Sequence, residues 1–190
     1  MRICNFFILT IAFCFLSLSA MSQSALCSLH DYHGSAYSPT MVDNGLAFRQ
    51  VTKICRLYRR KTIPVYMQYG IENAYAYSNS YGQEYIVYDP NFFNRVSNQY
   101  GSAASLGILA HEAGHIIVGV RVPGMIADWS DEARADYFAG YTLAKLGVSP
   151  RAIQNMMRIE NFYPSYRHPD GYTRATIIEE GYIAGGGSSF

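Results

Sequence analysis

Leu106-Gly107-Ile108-Leu109-Ala110-His111-Glu112-Ala113-Gly114-His115-Ile116-Ile117-Val118-Gly119-Val120 decides how this chain is read. At about 3.6 residues per turn, Leu106, Leu109, Ala113, Ile116, Ile117 and Val120 fall on one apolar stripe of a helix. His111 and His115, one turn apart, project together from the opposite side. Two imidazoles so placed can grip a single metal ion, and Glu112 between them can reach a water on that ion.

Outward from that helix, the upstream chain changes to strand chemistry. Pro64 to Tyr69, Ala74 to Tyr77 and Glu84 to Tyr88 are short runs rich in Tyr, Val and Ile, with Ser78 to Gly82 as a hairpin loop. They predict a small, largely antiparallel sheet of about three strands. Asp89-Pro90 ends it, Asn91 to Tyr100 leads on, and Ser102 is a candidate cap for the histidine helix. Earlier still, Leu46, Val51, Ile54, Cys55 and Tyr58 recur at helical spacing, predicting a first helix over Met41 to Arg59.

Downstream, Val122-Pro123-Gly124 breaks the chain. Ser130 caps a helix from Asp131 to Leu146, with Gly147 just past its end, and Ser149-Pro150 opens another that reaches Asn161. After His168-Pro169-Asp170-Gly171, Tyr172 to Glu180 makes a short last helix. The expectation is an α+β single domain over 23–190, in which the sheet packs with the histidine helix and roughly three to four further helices.

Composition bounds the function. Among 190 residues the charged fraction is 15% and aromatics are also 15%, including 17 tyrosines, which describes a chain that folds rather than a disordered one. Fifteen Lys+Arg against 14 Asp+Glu, with no basic run, offers nothing to a nucleic acid. Residues 1–22 differ in kind. Arg2 precedes a largely apolar run, Ile3 to Leu18, and small residues follow at Ser19, Ala20 and Ser22. That is a secretory signal peptide, so the protein is expected in the periplasm or secreted. A retained anchor is the alternative, and membrane contact is expected only in that case. Of four cysteines, Cys4 and Cys14 leave with the signal; Cys27 and Cys55 remain and, in an oxidising compartment, suggest a disulfide rather than two buried thiols.

The chemistry needs a third ligand. His111-Glu112-Ala113-Gly114-His115 fits H-E-x-x-H, in which zinc takes both histidines and Glu112 acts as the base. On the following helix Glu132, Asp136, Ala139 and Leu143 share one face, so Glu132 can reach the same ion and Asp136 can accept the outer ring N–H of a liganding histidine. Asp128 and Asp131 are rival ligands.

Taken together, His111-Glu-Ala-Gly-His115, Asp131-Glu-Ala-Arg-Ala-Asp136-Tyr-Phe-Ala-Gly140, Leu146-Gly-Val-Ser and His168-Pro-Asp-Gly-Tyr-Thr-Arg174 resemble the gluzincin peptidases related to HtpX and the CAAX prenyl protease. The likeness spans roughly residues 70–182. It departs from the membrane members of that family in lacking their transmembrane helices, and looks like a small exported relative. The resemblance implies a zincin-like fold, one zinc per chain on His111, His115 and Glu132, and a peptide or protein substrate held along an edge strand, Ala74 to Tyr77 or Glu84 to Tyr88. It also implies that His168 and Arg174 belong to the active site. There His168 would assist catalysis or mask the metal, and Arg174 would anchor a carboxylate such as Asp136 or bear on the site directly. Zinc-dependent endopeptidase is the expected function, with a metal-stabilised binding or assembly module as the rival. An FtsH-like peptidase, suggested by His-Glu-Ala-Gly-His alone, lacks its ATPase domain here.

Overall fold

A computed structural model describes residues 41–78, 81–117, 122–125, 130–159 and 169–189. The expected signal peptide and Cys27, Asp128 and His168 lie outside the described residues.

The chain enters through Asp43, whose carboxylate accepts from the backbone amides of Gly45 at 2.6 Å and Phe48 at 2.9 Å. Those bonds serve the orphan donors of a helix start, so α1 is Leu46–Leu57 rather than the expected Met41 to Arg59. Met41–Val42 is instead a two-residue strand, β1. Val51, Ile54 and Cys55 of α1 are fully buried, and Cys55 is a free thiol among the described residues; its expected disulfide partner, Cys27, is not among them.

Three more strands follow: β2 (Val65–Met67), β3 (Ala74–Ser78) and β4 (Glu84–Tyr88). The expected hairpin is present, with β3 antiparallel to β4 from Ala74↔Tyr88 to Ser78↔Glu84. The sheet as a whole corrects the expectation. It has four strands in the order β1-β2-β4-β3 and is mixed, because β2 runs parallel to β4. A parallel pair needs a crossover, and here the β2–β3 connection is pinned by Asp89. One Asp89 carboxylate oxygen accepts from Gly70 at 2.8 Å and Glu72 at 3.0 Å, where Gly70 sits at φ 83°. Central β4 is therefore buried at Ile86, Val87 and Tyr88, and β3 is left at an edge of the described sheet.

Asp89 also caps a helix where the sequence predicts only a connection, Asn91 to Tyr100. Its other oxygen accepts from Asn91 N at 2.8 Å and Pro90 takes the first helical position, giving α2 (Pro90–Tyr100). Gly101 alone, at φ 88°, separates α2 from α3 (Ser102–Ile117), so Ser102 lies within α3 rather than capping it. Then come α4 (Asp131–Lys145), capped by Ser130 as expected, α5 (Arg151–Ile159) and α6 (Gly171–Ala184), capped by Asp170. The described residues thus hold five helices beside α3, against the expected three to four.

Packing around α3 positions the site. This helix touches α1, α2, α4, α5 and β3, and its histidine side is as buried as its apolar stripe. The expected two-sided helix is instead enclosed all round. Close backbone approach makes that possible. A Cβ at Gly114 would lie 3.1 Å from Cα of Ala135 on α4. Between α4 and α6, a Cβ at Gly140 would overlap the carbonyl oxygen of Ile178, and one at Gly181 that of Tyr137. No helix among the described residues is long and apolar enough to cross a membrane.

Candidate metal centre

His111, on the third turn of α3, and His115, one turn later, turn toward the first turn of α4. Ser130 fixes where α4 begins by accepting from Ala133 N at 3.2 Å, and this sets Glu132 and Asp136 one turn apart on the facing side. The result is a convergence of lone-pair atoms. Nε2 of His111 and Nε2 of His115 are 3.1 Å apart; Glu132 Oε2 is 3.2 Å from the first and Oε1 3.4 Å from the second. These three residues form a group whose ligand atoms lie within 4.8 Å of one another, and which could hold a metal ion.

Behind it, Asp136 Oδ1 lies 2.8 Å from Nδ1 of His111, the contact expected from the helix face. Such a partner holds the imidazole with Nε2 free to bind a metal. Arg174 comes from α6 and donates to the same carboxylate through Nε at 2.7 Å and a terminal nitrogen at 2.9 Å. That terminal nitrogen is also 4.0 Å from Glu132. Arg174 thus reaches His111 through Asp136, the first of the two roles open to it from sequence. Asp131, one rival ligand, is 70% exposed and pairs with Arg134, outside the group. Asp128 and His168 fall outside the described residues.

Glu112 is the remaining member. Its carboxylate is fully buried, and neither oxygen closes a hydrogen bond among the described residues, although the backbone of Ala76 on β3 faces it. A buried carboxylate with nothing to accept from is costly.

Electrostatics point the same way. Three buried carboxylates (Glu112, Glu132, Asp136) face one buried guanidinium, leaving two negative charges that a single divalent cation neutralises. The side chains alone can reach balance only by keeping protons. Burial opposes a charge on His111, but Asp136 and Glu132 outweigh it and hold the imidazole up at about 10. Burial pushes Glu112 up to about 8, with Glu132 adding to the rise and His111 opposing it. His115 is pulled down to about 4, by burial and then by the His111 charge, so it is neutral and ready to donate. Burial works against ionisation of Asp136 too, yet Arg174 and His111 keep its carboxyl below the usual range.

No protein-family model, no curated protein and no solved structure matches this chain.

Proposed function

We propose that the protein is a zinc-dependent endopeptidase of gluzincin type, with a zincin-like arrangement of edge strand β3, histidine helix α3 and glutamate helix α4. The observation that carries this is Glu112: a fully buried carboxylate, facing the backbone of Ala76, that closes no hydrogen bond among the described residues and stands beside a group of two histidines and a glutamate. A purely structural metal site has no use for such a group, whereas hydrolysis needs a base there.

Zinc suits the donor set. Bonds of about 2.0–2.1 Å in a tetrahedron require donor–donor edges of roughly 3.3–3.4 Å, close to the 3.1, 3.2 and 3.4 Å present. Two imidazoles and one carboxylate leave one position open, as catalytic zinc does. Held there, the ion supplies a Lewis acid and an acidified water. Glu112 takes the proton from the attacking water and returns it to the leaving amine. Asp136, fixed by Arg174, keeps His111 in the tautomer that presents Nε2.

A peptide substrate suits the surroundings. Among the described residues β4 is internal to the sheet and β3 lies at its edge, with the backbone of Ala76 facing Glu112. A chain laid along β3 by β-augmentation therefore brings its peptide bonds past that carboxylate. The chain order His111-Glu-Ala-Gly-His115, Glu132 with Asp136, then Arg174 supports the likeness to the peptidases related to HtpX and the CAAX prenyl protease. Export by the N-terminal segment belongs to the same proposal.

The test is Glu112→Gln. Metal analysis of the purified protein should find zinc at the same level as in wild type, while cleavage of casein or a peptide library falls by about 10²–10⁴. Undiminished cleavage would refute the mechanism. Zinc retained by a wild-type protein that cuts nothing would favour the binding or assembly module instead.

A further inference from the structure

Between Asp43 and Glu72 the chain carries six of its 15 Lys+Arg and no acidic residue. Helix α1 holds Arg49, Lys53 and Arg56, and Arg59, Arg60 and Lys61 follow its end. At about 100° per residue, Leu46, Arg49, Lys53, Arg56 and Leu57 fall within about a third of the helix circumference, opposite Val51, Ile54 and Cys55. All five are exposed, Leu46 by 61% and Leu57 by 40%. Arg60 is paired with Glu84 at 3.0 Å, whereas Arg49, Lys53, Arg56, Arg59 and Lys61 are exposed and meet no carboxylate among the described residues.

Folding alone does not account for this stripe. A helix gains from cations in its last turn, as at Arg56, and from acids in its first. Arg49 stands in the first turn of α1, which has no acidic residue. Arg59 stands at φ 52°, the left-handed region where glycine is usual just past a helix. Such a patch of cations suits an anionic surface, and the leucines say which kind. Leu46 and Leu57 are about 16 Å apart along the helix, with Lys53 between them. Laid on a bilayer, leucines so placed enter between the headgroups while the cations meet lipid phosphates. Against the phosphates and sugars of a nucleic acid they would gain nothing.

We infer that α1 lies flat on bilayers that contain anionic phospholipid and holds the protein at a membrane surface, whether or not residues 1–22 are retained. Neither the metal group nor Glu112 takes part in this contact. Each cation at such a surface strengthens binding by about 5-fold.

The lysines report on this contact directly. Lys53 and Lys61 belong to the patch, Lys145 at the end of α4 does not, and all three of the chain's lysines are exposed. The full chain is acetylated in the presence of vesicles of phosphatidylcholine or of an equal mixture of phosphatidylcholine and phosphatidylglycerol, and the rate at each lysine is read by mass spectrometry. The mixed vesicles should slow Lys53 and Lys61 relative to Lys145, and the neutral ones should not. Added salt should restore the rates. Arg49→Gln/Arg56→Gln/Arg59→Gln should need about 10²-fold more mixed lipid for the same protection, and Leu46→Ser/Leu57→Ser about 10-fold more. Unchanged rates with mixed vesicles overturn the inference whether or not the variants fold, as does equal protection by both kinds of vesicle. Protection that survives either set of substitutions overturns it too. Duplex DNA at the same phosphate concentration decides between anionic partners: protection as strong as that by mixed vesicles overturns the membrane assignment, and weaker protection supports it.

Discussion

Replacing Arg174 by methionine removes the one buried guanidinium among the described residues of the site. The guanidinium holds Asp136 through bonds of 2.7 and 2.9 Å, and the two side chains are 1% and 0% exposed. Truncating one partner of a buried pair costs about 3–5 kcal/mol, because the other charge stays buried without it. Asp136 would keep His111 at 2.8 Å, so the lower end applies, about 3 kcal/mol. At roughly 2–4 °C per kcal/mol for a chain of this size, chelated Arg174→Met should melt about 6–12 °C below wild type. Zinc should then raise the Tm of the variant by more than it raises that of wild type, since the ion's charge replaces the missing guanidinium. Asp136→Asn/Arg174→Met removes both charges while an amide oxygen still accepts from His111, so it should melt above the single variant. Calorimetric or circular-dichroism melts with and without zinc read all of these. A single variant indistinguishable from wild type, or a double variant that melts lower still, would refute the charge network described here.

Other perturbations test other parts. Glu132→Ala should empty the metal site while Asp131→Ala leaves occupancy unchanged, as measured by metal analysis after dialysis; the reverse pattern would move the third ligand to Asp131. Calorimetric titration in buffers of different ionisation enthalpy should show zinc displacing about two protons per chain at pH 7, from His111 and Glu112, whose pKa values stand at about 10 and about 8. At pH 9 Glu112 has already lost its proton, so release should fall toward one, and affinity should weaken steadily as pH drops; pH-independent release would contradict the protonation states given. Gly140→Ala sets a methyl against the Ile178 carbonyl between α4 and α6, and should cost about 1–3 kcal/mol or more, lowering both Tm and zinc affinity. A variant that melts with wild type would show that the helix approach tolerates a side chain.

Periodicity and chain punctuation were legible in the sequence because both are fixed between near neighbours. Four residues make about one helical turn, so His111 with His115, and Glu132 with Asp136, share a face wherever their helices pack. Ser130 before Asp131 and Asp170 before Gly171 mark helix starts by side chains bonding to the amides beside them. Asp89-Pro90 carries the same signal for α2 and at the same time ends the sheet, so the helix start is hidden behind the strand end. Strand order, by contrast, depended on the whole chain. The β2–β4 pairing left β3 at an edge of the described sheet, beside Glu112, and no property of Ala74 to Ser78 taken alone says which of its flanks pairs with β4. The choice of Glu132 over Asp131 depended on how α4 is rotated against α3, and Gly114 sets how near it comes. Arg174 reached Asp136 across 38 positions only because Gly140 and Gly181 let α4 and α6 touch. The sequence by itself determined which residues stand together on each helix, since backbone hydrogen bonds dictate that locally. Which helices face one another, and so which side chains could hold a metal together, was decided by burying the apolar surface of the whole chain at once.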